Sequence, residues 1–131
     1  MTLVDTSVWI DFLGGRVTPQ TTWLATAVTE GELIAVCGIV LSEILQGYRA
    51  ESVRRKIERR LARQPYLDLS RRGHILAADI YCSALAAGRP IRNTIDCLIA
   101  ACAISHGVPL LQNDRDFANI AAVSKLRLIT A

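Results

Sequence analysis

Apolar residues along the chain fall into short continuous runs, and between the runs they recur at three- and four-residue spacing, so strands alternate with helices. Thr2 to Val4 form the first run, and Thr6 to Leu13 carry a helical pattern that Gly14 and Gly15 end. Trp23 to Val28 reads as a second helix, Leu33 to Val36 as a buried strand, and Gly38 to Gln46 as a helix stopped by Gly47. A long basic helix from about Glu51 to Arg63 gives way at Pro65 to the strand Tyr66 to Leu69, followed by a helix from Arg71 to Ala87. Thr94 can cap a helix over Ile95 to Ser105, and Pro109 to Leu111 opens another strand. After Asn113 and Asp114 a short helix leads to a last apolar run, Leu126 to Ile129. Five short strands separated by helical material predict an α/β fold, a five-stranded parallel sheet flanked by helices on both faces, because parallel neighbours need crossover connections.

The chain has 131 residues, enough for one domain over residues 1–131 with a core that needs no disulfide or structural metal. No apolar run approaches the roughly 20 residues that span a bilayer, and the start MTLVDTSVWIDF carries an aspartate where a signal peptide has a basic residue. A cytoplasmic protein with no membrane association is expected. Cys37, Cys82, Cys97 and Cys102 lie in apolar stretches without C-x-x-C pairing, and are expected to be reduced core residues. There is no P-loop, no G-x-G-x-x-G and no G-x-S-x-G, so no nucleotide cofactor and no serine nucleophile are indicated. His74 and His106 sit at a helix start and a helix end, where structural roles suffice.

Charge changes this picture. Between Arg49 and Arg72 nine basic residues face only Glu51, Glu58 and Asp68, an excess suited to a polyanion although also compatible with a solvated helix face. The acids are placed differently. In a parallel sheet the ligand crevice lies at the carboxyl ends of the strands. Asp5 follows the first strand directly, and Asp114, with Asp116 two residues on, follows the strand that ends in Leu111. Asp96 is the only charge on an otherwise apolar helix, and Glu43 lies within the apolar GIVLSEILQG, where it is expected to be buried with no basic residue on its own helix. Singly, each has an ordinary explanation: an N-cap for Asp5, a first-turn acid for Asp96, a turn residue for Asp114, a buried ion pair for Glu43. Together they share one sheet edge. Converging carboxylates repel and must be relieved by raised pKa values or by a cation, and hard oxygen ligands select magnesium or manganese. The hydroxyls of Thr6, Ser7 and Thr94 flank these acids and can either orient them or cap helices. With the five acids set aside, fifteen basic residues face seven acidic ones, a balance that suits an acidic metal-loaded pit in a surface that holds a phosphate backbone.

The blocks LVDTSVWIDF, LSEILQG, NTIDCLIAACAISHG and LLQNDRDF, in this order over the whole chain, resemble the four signature blocks of PIN domains, and more narrowly those of the VapC toxins of bacterial toxin–antitoxin modules. The resemblance implies a Mg2+- or Mn2+-dependent endoribonuclease that cuts RNA, forms homodimers and is neutralised by a cognate antitoxin. It matches Asp5, Glu43, Asp96 and Asp114 to the family's acidic quartet and Asp116 to a position often acidic; Asn113 and Arg115 fall in a variable part of that block. Other aspartate-centred α/β families fit poorly. A haloacid-dehalogenase phosphatase needs an aspartate where Ser7 stands, and a receiver domain needs a lysine after its penultimate strand, whereas the only lysines are Lys56 and Lys125. The remaining alternative is a non-catalytic module whose acids grip a basic peptide and whose basic helix grips RNA.

Overall fold

The computed structural model describes residues 1–131. The chain runs β1 (Thr2–Val4), α1 (Thr6–Leu13), α2 (Pro19–Thr29), β2 (Ile34–Cys37), α3 (Gly38–Gln46), α4 (Glu51–Leu61), β3 (Tyr66–Leu67), α5 (Arg71–Ala86), α6 (Thr94–Ser105), β4 (Leu110–Leu111) and α7 (Asp116–Ala122). All strand pairs are parallel, in the order β3-β2-β1-β4. Every residue of β1, β2 and β4 is buried, as expected of strands covered on both faces.

The strand count differs from expectation. The last apolar run does not form a fifth strand; only Leu128 bridges to Leu110, with Leu110 N donating to Arg127 O and Ile129 N to Leu110 O, both at 2.9 Å. With β4 only two residues long, there is no backbone beside which a longer ladder could extend. Likewise Leu69 lies outside β3, which pairs only through Tyr66 and Leu67 with Val36 and Cys37.

Helix boundaries follow local chemistry. Thr18 and Thr21 form a reciprocal capping box ahead of Pro19, so α2 begins four residues before its apolar pattern becomes visible. Asn93, not Thr94, caps α6, its Oδ1 accepting from Ile95 N at 3.0 Å. Gly107, at φ +65°, turns the chain out of α6 towards β4. Glu51 in the first turn of α4 and Arg59 and Arg60 in the last complement its dipole. Helix α6 is the most deeply buried, with Cys97 and the run Ile99 to Ala103 in the core, and α5 packs along it. Of the cysteines, Cys37, Cys97 and Cys102 are buried and free as expected, but Cys82 is exposed: it lies on the outer face of α5, whose inner face is built from Ala77, Ile80 and Ala84. No helix is long and apolar enough to cross a membrane.

The topology selects one place for a site. From β1 the chain moves outward to β2 and β3, then returns through α5 and α6 to place β4 on the opposite side of β1. The connections diverge between β1 and β4, and such a switch point leaves a crevice at the carboxyl ends of the two strands.

Candidate metal centre

Asp5 leaves β1 at that crevice. Its backbone N–H still donates to Leu111 O at 2.9 Å, which fixes the residue against β4, and its side chain caps α1. Oδ2 accepts from Ser7 N at 3.0 Å and from Ser7 Oγ at 2.6 Å. The helix-cap explanation is therefore correct for Asp5, but it employs one carboxylate oxygen. Ser7 Oγ in turn accepts from Asn113 N at 3.1 Å, so one hydroxyl ties the start of α1 to the loop after β4. Burial pushes the Asp5 carboxyl above its ordinary range, the Ser7 hydrogen bonds oppose this, and the nearby Glu43 charge adds to it.

Glu43 corrects the sequence reading. Helix α3 buries only Val40 and Ile44, and Glu43 is half-buried on its flank, so the helix is less enclosed than its composition suggests. The partner of Glu43 is the Thr6 hydroxyl, which donates to Oε1 at 2.7 Å, and no ion pair forms. Thr6 and Ser7 thus both orient acids; Thr94 makes no comparable bond.

Asp96 is the most demanding member. It is 7% exposed in the first turn of α6, and its Oδ2 is buried without a hydrogen-bond partner. Desolvation, followed by the charges of Asp5, Asp114, Asp116 and Glu43, raises its carboxyl from 3.8 to about 7. The charges of the other four acids named from the sequence therefore all reach Asp96. Carboxylate oxygens of Asp96, Asp114 and Asp116 lie within 4.8 Å of one another.

Asp114 and Asp116 carry a feature that sequence reading missed. Arg92, in the loop entering α6, donates from Nε to Asp116 Oδ1 at 3.0 Å and from Nη2 to Asp114 Oδ1 at 3.2 Å, while its backbone N–H donates to Asp116 Oδ2 at 3.0 Å. Asp114 Oδ1 also accepts from Asp116 N at 2.9 Å, which closes the turn into α7. Asp116 is only 3% exposed. The one signal for Arg92 was a basic residue four positions before the isolated Asp96 in IRNTID, and neither periodicity nor capping rules single that position out.

The donor set is entirely oxygen, which suits a hard divalent cation, and a buried carboxylate oxygen with no donor facing it is the kind of vacant valence such a cation satisfies. A concavity of about 500 Å³ elsewhere on the molecule, lined by Pro19, Thr22, Trp23 and Glu30 among others, touches none of the five acids. Both histidines serve the backbone, with a ring nitrogen of His74 2.9 Å from Ser70 O and one of His106 2.8 Å from Asp68 O.

Comparison with known proteins agrees with this architecture. The PIN domain model matches residues 2–123. A VapC ribonuclease of Mycobacterium bovis is 33% identical over 129 residues, which cover 97% of this chain and 96% of the relative. Among solved structures, VapBC-1 from nontypeable Haemophilus influenzae superposes with a TM-score of 0.77 at 20% identity, covering 98% of this chain and 96% of that one. VapBC-5 from Mycobacterium tuberculosis, described as a member of the VapBC family of toxin–antitoxin systems, gives 0.67 at 20% identity over 99% of this chain and 98% of that one. At such identities the structural likeness speaks for the fold, while the family match and the sequence relative span nearly the whole chain: the protein belongs to the PIN-domain family, and within it to the VapC group.

Proposed function

We propose that the protein is a Mg2+- or Mn2+-dependent endoribonuclease, the toxin of a toxin–antitoxin pair, with Asp5, Glu43, Asp96 and Asp114 as its metal-holding acids. The observation that carries this reading is the orphaned Oδ2 of Asp96 among four other carboxylates. The hydroxyls beside the acids, Ser7 and Thr6, are engaged in orienting Asp5 and Glu43, and a metal-activated water as the attacking group requires no side-chain nucleophile. Bound among these oxygens, the divalent ion would supply a lowered water pKa and charge neutralisation at the phosphate.

The chain's own residues do the remaining work. Ser7 fixes the Asp5 carboxylate, and Thr6 fixes Glu43 across from it. Without a cation Asp96 holds a proton near neutral pH, and its burial keeps solvent from satisfying it instead. Along α4 and its flanks, Arg49, Lys56, Arg59, Arg63, Arg71 and Arg72 form no ion pair and remain available to an RNA backbone. Arg54, Arg55 and Arg60 are already engaged, by the Tyr48 carbonyl, by Glu58 and by the Phe12 ring, so the available charge is smaller than the sequence count.

The same reading places residues 1–131 in one PIN unit that acts in the cytoplasm, pairs with a cognate antitoxin protein and forms a homodimer; the VapBC character of its structural neighbours supports the antitoxin partner. The test is cleavage of structured and single-stranded RNA by the purified protein with and without Mg2+ or Mn2+, beside Asp5→Asn and Asp96→Asn. Metal-dependent internal cleavage that both substitutions abolish is expected. Equal cleavage by the variants would falsify the site assignment.

A further inference from the structure

Two of the four thiols meet in the core although they stand far apart in the chain. Cys37 ends β2 and pairs in the ladder with Leu67 of β3, and the Cys102 thiol, on α6, lies 3.6 Å from the Leu67 carbonyl oxygen. The Cys37 and Cys102 side chains share a hydrogen bond. Their surroundings differ. Cys37 is the N-cap residue of α3, and the amides of Val40 and Ile39 lie near its sulfur without forming a capping bond. The Cys102 hydrogen bond and these amides draw the Cys37 thiol below its usual range, against burial and the Asp5 charge. Cys102 is pushed upward by its bond to Cys37 and by burial. One sulfur of the pair thus favours the thiolate while the other keeps its proton.

Cys37 is enclosed but close to the surface. A Cβ on the neighbouring, partly exposed Gly38 would fall 2.6 Å from the hydroxyl of Tyr66, so that exposed side chain is what lies over the start of α3. Exposed side chains change rotamer within nanoseconds, which uncovers this end of the helix without unfolding the core.

We propose that Cys37 and Cys102 are a redox-active pair that hydrogen peroxide closes to an intramolecular disulfide. The Cys37 thiolate attacks the peroxide, the O–O bond breaks, the departing hydroxide takes up the proton that the thiol gave, and Cys37 becomes a sulfenic acid. The Cys102 sulfur then attacks the Cys37 sulfur, and its proton leaves with the sulfenic hydroxyl as a second water. Two thiols give up two electrons and one peroxide accepts them. The bond would fasten the start of α3, which carries Glu43, to α6, which carries Asp96.

The experiment treats folded, reduced Cys82→Ser protein, which lacks the one exposed thiol, with hydrogen peroxide and follows intact mass, peptide linkage and Tm. The expected product has lost two hydrogens, yields a single linked pair of peptides containing Cys37 and Cys102, returns to its starting mass with dithiothreitol, and melts about 10 °C higher because the bond closes a long loop. In Cys102→Ala, made on the same background, the sulfenic acid has no partner and should be trapped at Cys37 by dimedone. Thiols that stay reduced, a link through Cys97, or oxidation of Cys37 to sulfinic acid without a link each overturn the proposal. So does a linked form that melts below the reduced one, since the bond then forms only at the expense of the core. If Cys102→Ala does not fold, peptide linkage in the Cys82→Ser protein decides alone, a Cys37–Cys102 link supporting the proposal and its absence overturning it.

Discussion

Replacing Asp96 with asparagine should stabilise the metal-free protein while removing its response to metal. The carboxyl is raised from 3.8 to about 7, chiefly by desolvation. At about 1.4 kcal/mol per tenfold change in acidity, ionising it in the folded state costs about 4 kcal/mol relative to the unfolded chain. The Arg92 guanidinium, which interacts with the Asp96 charge, offsets part of this and brings the expected effect to about 2 kcal/mol. The sign follows from proton binding. Between those two pKa values the folded protein holds a proton at Asp96 that the unfolded chain has released, so stability falls as pH rises from about 4 to about 7 and this contribution then levels off. Asp5 is raised in the same direction.

Asparagine keeps the shape, cannot ionise, and brings an N–H2 that can donate to the neighbouring acids. Urea or thermal unfolding of chelator-treated protein at pH 5, 6, 7 and 8 measures the effect. The variant should exceed wild type by about 2 kcal/mol at pH 8, roughly 8 °C in Tm for a chain of this length, and the gap should narrow towards pH 5. With manganese a hundredfold above its Kd, wild type should gain about 2.7 kcal/mol and the variant far less. A variant less stable than wild type at pH 8, or one with the same pH slope, would show that Asp96 is not a strained acid awaiting a cation.

Two further outcomes are expected. Thr6→Val removes the hydroxyl that orients Glu43 while keeping its volume, and should weaken manganese binding about tenfold by calorimetry; unchanged affinity would mean that the 2.7 Å bond has no part in holding the site. In a complex with its antitoxin, an arginine or lysine of the partner should lie within ion-pair distance of Asp5 or Asp96, since a fixed cation can replace the metal's charge; a complex that stays clear of both residues counts against this.

Much of this protein is determined locally, and what is local is legible in sequence. The alternation of β1, α1, β2, α3 and α6, the stop at Gly47 and the placement of Asp5 and Asp114 directly beyond buried strands follow from side-chain periodicity and capping within a few residues of each position. The four signature blocks likewise mark Asp5, Glu43, Asp96 and Asp114 before any coordinates are known. What only the tertiary structure decides involves partners far apart in the chain. The Ser7–Asn113 bond spans 106 residues, and Arg92 meets Asp114 and Asp116 across 22 and 24. The half-exposure of Glu43 depends on how α3 lies against α1, and the reduction of the fifth strand to one bridge depends on β4 being two residues long. Which acid lacks a partner and which already has its cation is likewise a question of distance and burial, because a pattern of residue types fixes the charges available but not the solvent each one loses or the donor it meets.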